Sequence, residues 1–159
     1  MKPVATKLLL AAALALAALA HGANAPAETK AAASIPAIDL IEPEAFAKSL
    51  QAPSAPRPLI LQVGFRTLYV QAHIPGSEYA GPTGQEAGLQ VLRDRVAKLA
   101  KDAPIVLYCG CCPWSRCPNI AAAYDALHGL GFSRVKVLHI PDDFGANWVD
   151  KGYPVAKGE

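Results

Sequence analysis

Hydrophobic positions along this chain fall into short solid runs and longer spaced ones. Residues 37–41, 59–63, 105–108 and 135–138 are runs dominated by Val, Ile and Leu, the pattern of strands buried on both faces. The first of them reads as a strand or an extended entry. Leu89, Leu92, Val96 and Leu99 instead recur at helical spacing, with Arg93, Asp94, Arg95, Lys98 and Lys101 between them. That predicts an amphipathic helix ended by Asp102, Ala103 and Pro104. An Ala-rich helix is predicted over 120–130, with Gly131 placed to end it. Pro43 opens a short helix through Leu50, in the first turn where its missing N–H costs nothing. A last short helix is predicted over 144–149. Residues 51–58 carry three prolines and read as a loop, as do the turn at 72–76 and the Gly-rich stretch 81–88. Apolar strands alternating with helices imply an α/β domain, a mostly parallel central sheet with helices on both faces. No internal repeat is visible.

One apolar run is of a different kind. Residues 8–20 are Leu and Ala only, behind Lys2 and Lys7 and ahead of Ala23-Asn24-Ala25. A basic start, an apolar middle and small residues at a cleavage point make the layout of a secretory signal. The run is shorter than the ~20 residues a membrane-crossing helix needs. Cleavage is expected after Ala25, and no cysteine near it suggests a lipid anchor. The expected organisation is a signal over 1–25, a flexible leader over 26–36 and one domain over 37–159, exported to the periplasm or the extracellular space. Without Lys2 and Lys7, the 15 basic residues become 13 and match the 13 acidic ones. A neutral domain gives no electrostatic case for nucleic acid or for a membrane partner after cleavage.

Export permits disulfides, but the four cysteines do not look like staples. Cys109, Cys111, Cys112 and Cys117 crowd into one stretch. Bridges among them would close tiny loops, and the gain from a bridge grows with loop length. Cys109 directly follows the predicted strand 105–108, at the end where parallel sheets bind ligands. A helix begins near Pro118 or Asn119, and its positive N-terminal end together with Arg116 favours a thiolate.

Around these residues the chain resembles the rhodanese-like domains, from about residue 39 to 155. Pro58-Leu59-Ile60-Leu61 is similar to the family's second strand. Ala72-His73-Ile74-Pro75-Gly76-Ser77 resembles its Gly-His-Ile-Pro-Gly-Ala turn. Ile105 to Cys109 resembles the strand that delivers the catalytic cysteine. Leu130-Gly131-Phe132 with Val135, Trp148 and Gly152-Tyr153-Pro154-Val155 resemble its closing pattern. The resemblance implies a single rhodanese-like domain and a sulfurtransferase of the thiosulfate:acceptor type. Cys109 would hold a persulfide, taking sulfur from a small anionic donor and passing it to a thiol acceptor. Cys111, Cys112 and Cys117 are then resolving or secondary thiols, and Arg116, Trp114 and Asn119 are the candidate substrate-binding residues. No cofactor and no metal are called for. The family's loop is shorter and carries one cysteine. An Asp-Val-Arg-like signature is replaced here by Gln62-Val63-Gly64, and a Gly-Gly pair by Pro141-Asp142-Asp143.

Two other chemistries suit four thiols in one loop. One is thiol–disulfide exchange with a protein redox partner, Cys109 attacking and a neighbour resolving. The other is thiolate binding of Zn²⁺ or Cu(I). His73 is expected to be a structural hydrogen-bonding residue. His128 and His139 have no motif around them. Trp148 is expected in the core, and Asp142 and Asp143 are expected to cap the last helix.

Overall fold

The computed structural model describes residues 34–52 and 57–158. The export signal expected over 1–25, most of the leader expected over 26–36 and part of the proline-rich loop lie outside the described residues. Within the expected leader, Ile35 is buried in the core.

Among the described residues, five strands form one sheet: β1 (Leu40–Ile41), β2 (Leu59–Gln62), β3 (Glu78–Tyr79), β4 (Ile105–Tyr108) and β5 (Val135–Leu138). Their spatial order is β1-β5-β4-β2-β3, and every pairing is parallel. The helices are α1 (Pro43–Gln51), α2 (Arg66–Gln71), α3 (Glu86–Val96) and α4 (Pro118–Gly129).

Side chains alternate across a strand, so a strand that is apolar throughout needs cover on both faces. Each face has its own core. On one, Leu61, Leu107 and Val137 pack with Leu92 and Val96 of α3 and with Leu127 of α4. On the other, Ile60, Val106 and Leu138 pack with Phe46 and Leu50 of α1 and with Trp148. The alternation runs on past the end of β4. Cys109, two residues after Leu107, falls on the α3/α4 side and is 3 % exposed. Strand register therefore decides which way this thiol points.

The structure departs from the predicted elements in several places. Of the run at 37–41 only Leu40–Ile41 is strand, and Ala37–Asp39 form a 3-10 turn. Within 64–71, where the pattern predicts no element, Arg66–Gln71 form α2. β3 is also unforeseen, a two-residue edge strand defined only by its pairing with β2. The loop expected over 81–88 ends early, because Gly88 lies inside α3 with its α-carbon against Pro82; a Cβ there would stand 1.9 Å from the Pro82 oxygen. At its other end α3 stops at Val96 instead of continuing to Lys101. The bonds from Ala97 N–H to Asp94 and from Leu99 N–H to Val96 tighten the chain into i→i−3 turns. The last helix is a π-helical turn, Gly145–Val149, capped by Asp143 Oδ1, which accepts the Ala146 N–H at 2.9 Å. Gly131 ends α4 as expected, with φ +87°.

The turn at 72–76 is fastened to β4. Tyr108 Oη accepts the Ile74 N–H at 3.2 Å and lies 3.0 Å from Ser77 Oγ. His73 is buried, stacks on Tyr69 with ring centroids 4.0 Å apart, and exchanges two backbone hydrogen bonds with Ala156. Trp148 is fully buried, and its Nε1–H donates to the Pro154 carbonyl at 2.8 Å.

Candidate active site

At the carboxyl end of β4 the chain turns sharply. Gly110 takes φ +72°, and its carbonyl accepts the Phe144 N–H at 3.0 Å. A Cβ at this position would lie 2.7 Å from that of Phe144. Both the backbone angle and the close approach require glycine. The loop then passes Cys111 and Cys112, makes a 3-10 turn over Trp114–Arg116, and enters α4 with Cys117 at the N-cap and Pro118 in the first turn. Trp114 ties the outer part of the loop down. Its N–H donates to the Pro141 carbonyl at 2.9 Å, and its ring meets His139 edge-on at 4.9 Å.

This path folds the thiols onto one another. All four are free. Cys109 Sγ donates to Cys111 Sγ at 3.0 Å, and Cys111 Sγ lies 3.5 Å from Cys112 Sγ. The sulfurs of Cys109, Cys111 and Cys117 all lie within 4.8 Å of one another, close enough to share a metal ion. Cys112, beside Cys111, is not part of that mutually close group, and its Sγ also lies 3.9 Å from the Arg116 carbonyl. Gly64, just past β2, leaves the room that Cys109 occupies; a Cβ there would stand 2.8 Å from its sulfur.

Asn119 completes the group. It is buried, and its Oδ1 accepts the Gly84 N–H at 2.8 Å while the Thr83 hydroxyl donates to its carbonyl at 2.6 Å. With Oδ1 so engaged, the Nδ2 donors face the sulfurs, 3.3 Å from Cys111 and 3.6 Å from Cys109. These donors favour an ionised sulfur. Hydrogen bonds from Cys109 and then Cys117 hold the Cys111 thiol far below its ordinary value. Cys109 is pushed up, first by donating to Cys111 and Cys117 and then by burial. Burial and the Cys111 thiolate push Cys112 up as well. The hydrogen bonds thus favour negative charge on Cys111 over Cys109 and Cys112.

Two hollows reach the cluster. One, about 320 Å³, has Cys109, Gly110 and Cys111 in its wall, opposite Leu68, Gln71 and Phe144. The other, about 190 Å³, is lined by Cys111, Cys112, Asn119 and Phe65 among others. Only Cys111 of the inner thiols borders both. Of the residues singled out in the sequence, Cys109, Cys111, Cys117 and Asn119 come together. Arg116 is exposed and, like Trp114, lines neither hollow. Gln62, Gly64 and Phe144 border the site without having been foreseen. The general rule that loops beyond strand carboxyl ends gather at one site would have found Gly64.

The family model for the rhodanese-like domain matches residues 28–139. No curated protein matches the chain. Among solved structures, the Alr3790 protein from Anabaena sp. is similar at 23 % identity and a TM-score of 0.56, over 74 % of this chain and 92 % of that one. The BH2092 protein from Bacillus halodurans has 20 % identity and a TM-score of 0.56, over 74 % of this chain and 75 % of that one. A thiosulfate sulfurtransferase from Pseudomonas aeruginosa has 19 % identity and a TM-score of 0.54, over 75 % of this chain and 20 % of that one. At these identities the likeness is one of fold.

Proposed function

Because the chain belongs to the rhodanese-like domain family, we propose that it is an exported sulfur-transfer protein working through Cys109. The observation that carries this reading is the place of Cys109. It stands at the carboxyl end of β4, in the wall of a hollow large enough for a small anion, with a second thiol 3.0 Å away. In the first half-reaction the Cys109 thiolate attacks the outer sulfur of a thiosulfate-like donor. An S–S bond forms to Cys109, the donor's own S–S bond breaks, and sulfite leaves with the electron pair. An acceptor thiolate then takes the outer sulfur as a persulfide and returns Cys109 to its thiolate. The proton on Cys109 has a local acceptor in Cys111. Arg116 carries the loop's single positive charge and serves to attract the anionic donor from outside the hollow.

The same 3.0 Å contact favours one second reading. Cys111 can attack the persulfide of Cys109, releasing hydrosulfide and leaving a Cys109–Cys111 disulfide that a dithiol partner must reduce. Intact mass separates the two. Reduced protein given thiosulfate gains one sulfur if it carries persulfide, and loses two hydrogens if the pair closes. Uptake that survives Cys109→Ser, with the fold intact by circular dichroism, would overturn the assignment. Export is read from the mass of the protein recovered from outside the cytoplasm, which should begin after Ala25.

A further inference from the structure

Sulfur transfer needs one thiol and at most a second to relay, so it leaves Cys117 without a task. Cys117 is not a loose surface group. It is buried at the N-cap of α4, and its sulfur closes a three-membered group with Cys109 and Cys111 in which every pair lies within 4.8 Å. Three sulfurs around an ion with bonds of ~2.3 Å form a triangle of side about 4 Å, and the group brackets that size. The Cys109–Cys111 edge, at 3.0 Å, has to open by roughly 1 Å for this geometry.

We propose that Cys109, Cys111 and Cys117 form a binding site for one soft monovalent cation, Cu(I), held by three thiolates. The donor set is sulfur alone; among the described residues no His or carboxylate joins the group. Soft thiolate ligands select Cu(I), zinc or iron–sulfur clusters over hard cations. The ligand number then separates copper from zinc. A structural Zn²⁺ site is four-coordinate; the fourth thiol here, Cys112, lies 3.5 Å from Cys111 but stays outside the group whose sulfurs are all within 4.8 Å of one another. The surroundings suit a metal thiolate as well. Asn119 is clamped by Gly84 and Thr83, so its Nδ2 donors face two of the three sulfurs. Such fixed outer donors orient ligands and offset their charge. Two of the ligands are buried, which shields the ion from water. No oxidation is involved. Cu(I) enters as Cu(I), each thiol that coordinates gives up its proton to solvent, and three Cu–S bonds form.

Bound copper and a Cys109 persulfide exclude each other, because both use the same sulfur. The test is therefore made on reduced protein that has never met a sulfur donor, under anaerobic conditions, with Cu(I) in competition with a chromogenic Cu(I) chelator. One Cu(I) per chain is expected. Cys117→Ser and Cys109→Ser should each weaken binding by about 100-fold or more, the scale at which lost outer-shell partners already reach 10–100-fold. Cys112→Ser should change it less than about threefold. X-ray absorption on the copper-loaded wild type should show three sulfur neighbours and no nitrogen or oxygen, a readout that stands even where a buried Cys117 variant fails to fold. Failure to retain one equivalent of Cu(I), or affinity untouched in a folded Cys117→Ser protein, overturns the proposal. So does tighter binding of Zn²⁺ than of Cu(I), lost on Cys112→Ser. None of these results depends on whether Cys109 transfers sulfur.

Discussion

The two ends of the sheet are built from the same strands and do different things. At the amino-terminal end, a cavity of about 520 Å³ lies between α1 and the starts of β4 and β5, walled by Ile41, Phe46, Leu50, Ile105 and Val106. Two of its cations are engaged already: Lys136 pairs with Asp39 at 3.0 Å, and Arg57 donates to the Leu50 carbonyl at 3.1 Å. The hollow at the carboxyl end is smaller, about 320 Å³, yet it holds the thiols. Volume here follows from how bulky side chains meet at short connections. Reactivity follows from direction. Every strand is parallel, so every strand-to-helix connection of this kind delivers its first residues to one end, where the α4 N-terminus also points.

The sharpest way to break this contrast is to alter one group at each end. Cys109→Ser removes the proposed nucleophile and keeps nearly the same shape, so sulfur uptake from thiosulfate should fall by about 1000-fold or more. The unfolding midpoint should move little. Phe46→Ala at the opposite end should do the reverse. Phe46 is 3 % exposed and tilts against Trp148 at 6.2 Å. Its removal should cost about 3–5 kcal/mol in chemical denaturation, with the sulfur-uptake rate of the folded protein unchanged. A Phe46→Ala protein that is stable but slow would mean that the two ends are coupled.

Gly64→Ala sharpens the contrast with a smaller change. The new methyl would stand 2.8 Å from Cys109 Sγ and 2.9 Å from Gln62 Nε2. The sulfur must shift, and misplacement of a reacting atom by about 1 Å costs on the order of 100-fold. Sulfur uptake should drop by that order with only a modest change in stability. Gly129→Ala, where a Cβ meets nothing within 4 Å and φ is not positive, is the matched control and should leave uptake unaltered.

The fold was legible in the chain because its strands carry no polar face: runs such as 105–108 permit only a covered parallel sheet. The end of β4 was legible for the same reason, and with it the place of Cys109. Elements made by partners were not. β3 is two residues long and exists through its pairing with β2. α2 exposes Leu68, at the rim of the site, and Val70, so its apolar residues do not mark one buried stripe. Within the site, the four cysteines and Asn119 were visible as residue types. Which sulfurs meet was not, because that depends on the left-handed turn at Gly110 and on the 3-10 turn that swings Arg116 outward. The preference for negative charge on Cys111 over Cys109 follows from that same geometry and from the clamped Asn119.

The smallest expected effect lies at the far edge of the amino-terminal end. Tyr124 of α4 donates to Asp39 Oδ2 at 2.6 Å, tying the segment before β1 to the helix layer. That bond is the largest cause of the lowered Asp39 pKa, followed among the lowering effects by Lys136. Tyr124 is pushed up to about 12, first by burial and then by Asp39. The two signs are opposite. Asp39 stabilises the fold above its unfolded value of 3.8, and this contribution is lost as pH falls through the lower folded value. Tyr124 stabilises it below its ordinary value of 10.0, and that is lost as pH rises toward 12. Tyr124→Phe should therefore cost about 0.5–1.5 kcal/mol near neutrality, the usual net worth of one such bond. The deficit relative to wild type should shrink below pH 3.8 and above pH 10, traced by denaturation midpoints across the pH range. Sulfur uptake should be unaffected, since Asp39 borders the amino-terminal cavity and neither thiol hollow. A deficit that stays constant with pH would assign Tyr124 a packing role alone, and a loss of uptake would join the two ends that the sheet otherwise keeps apart.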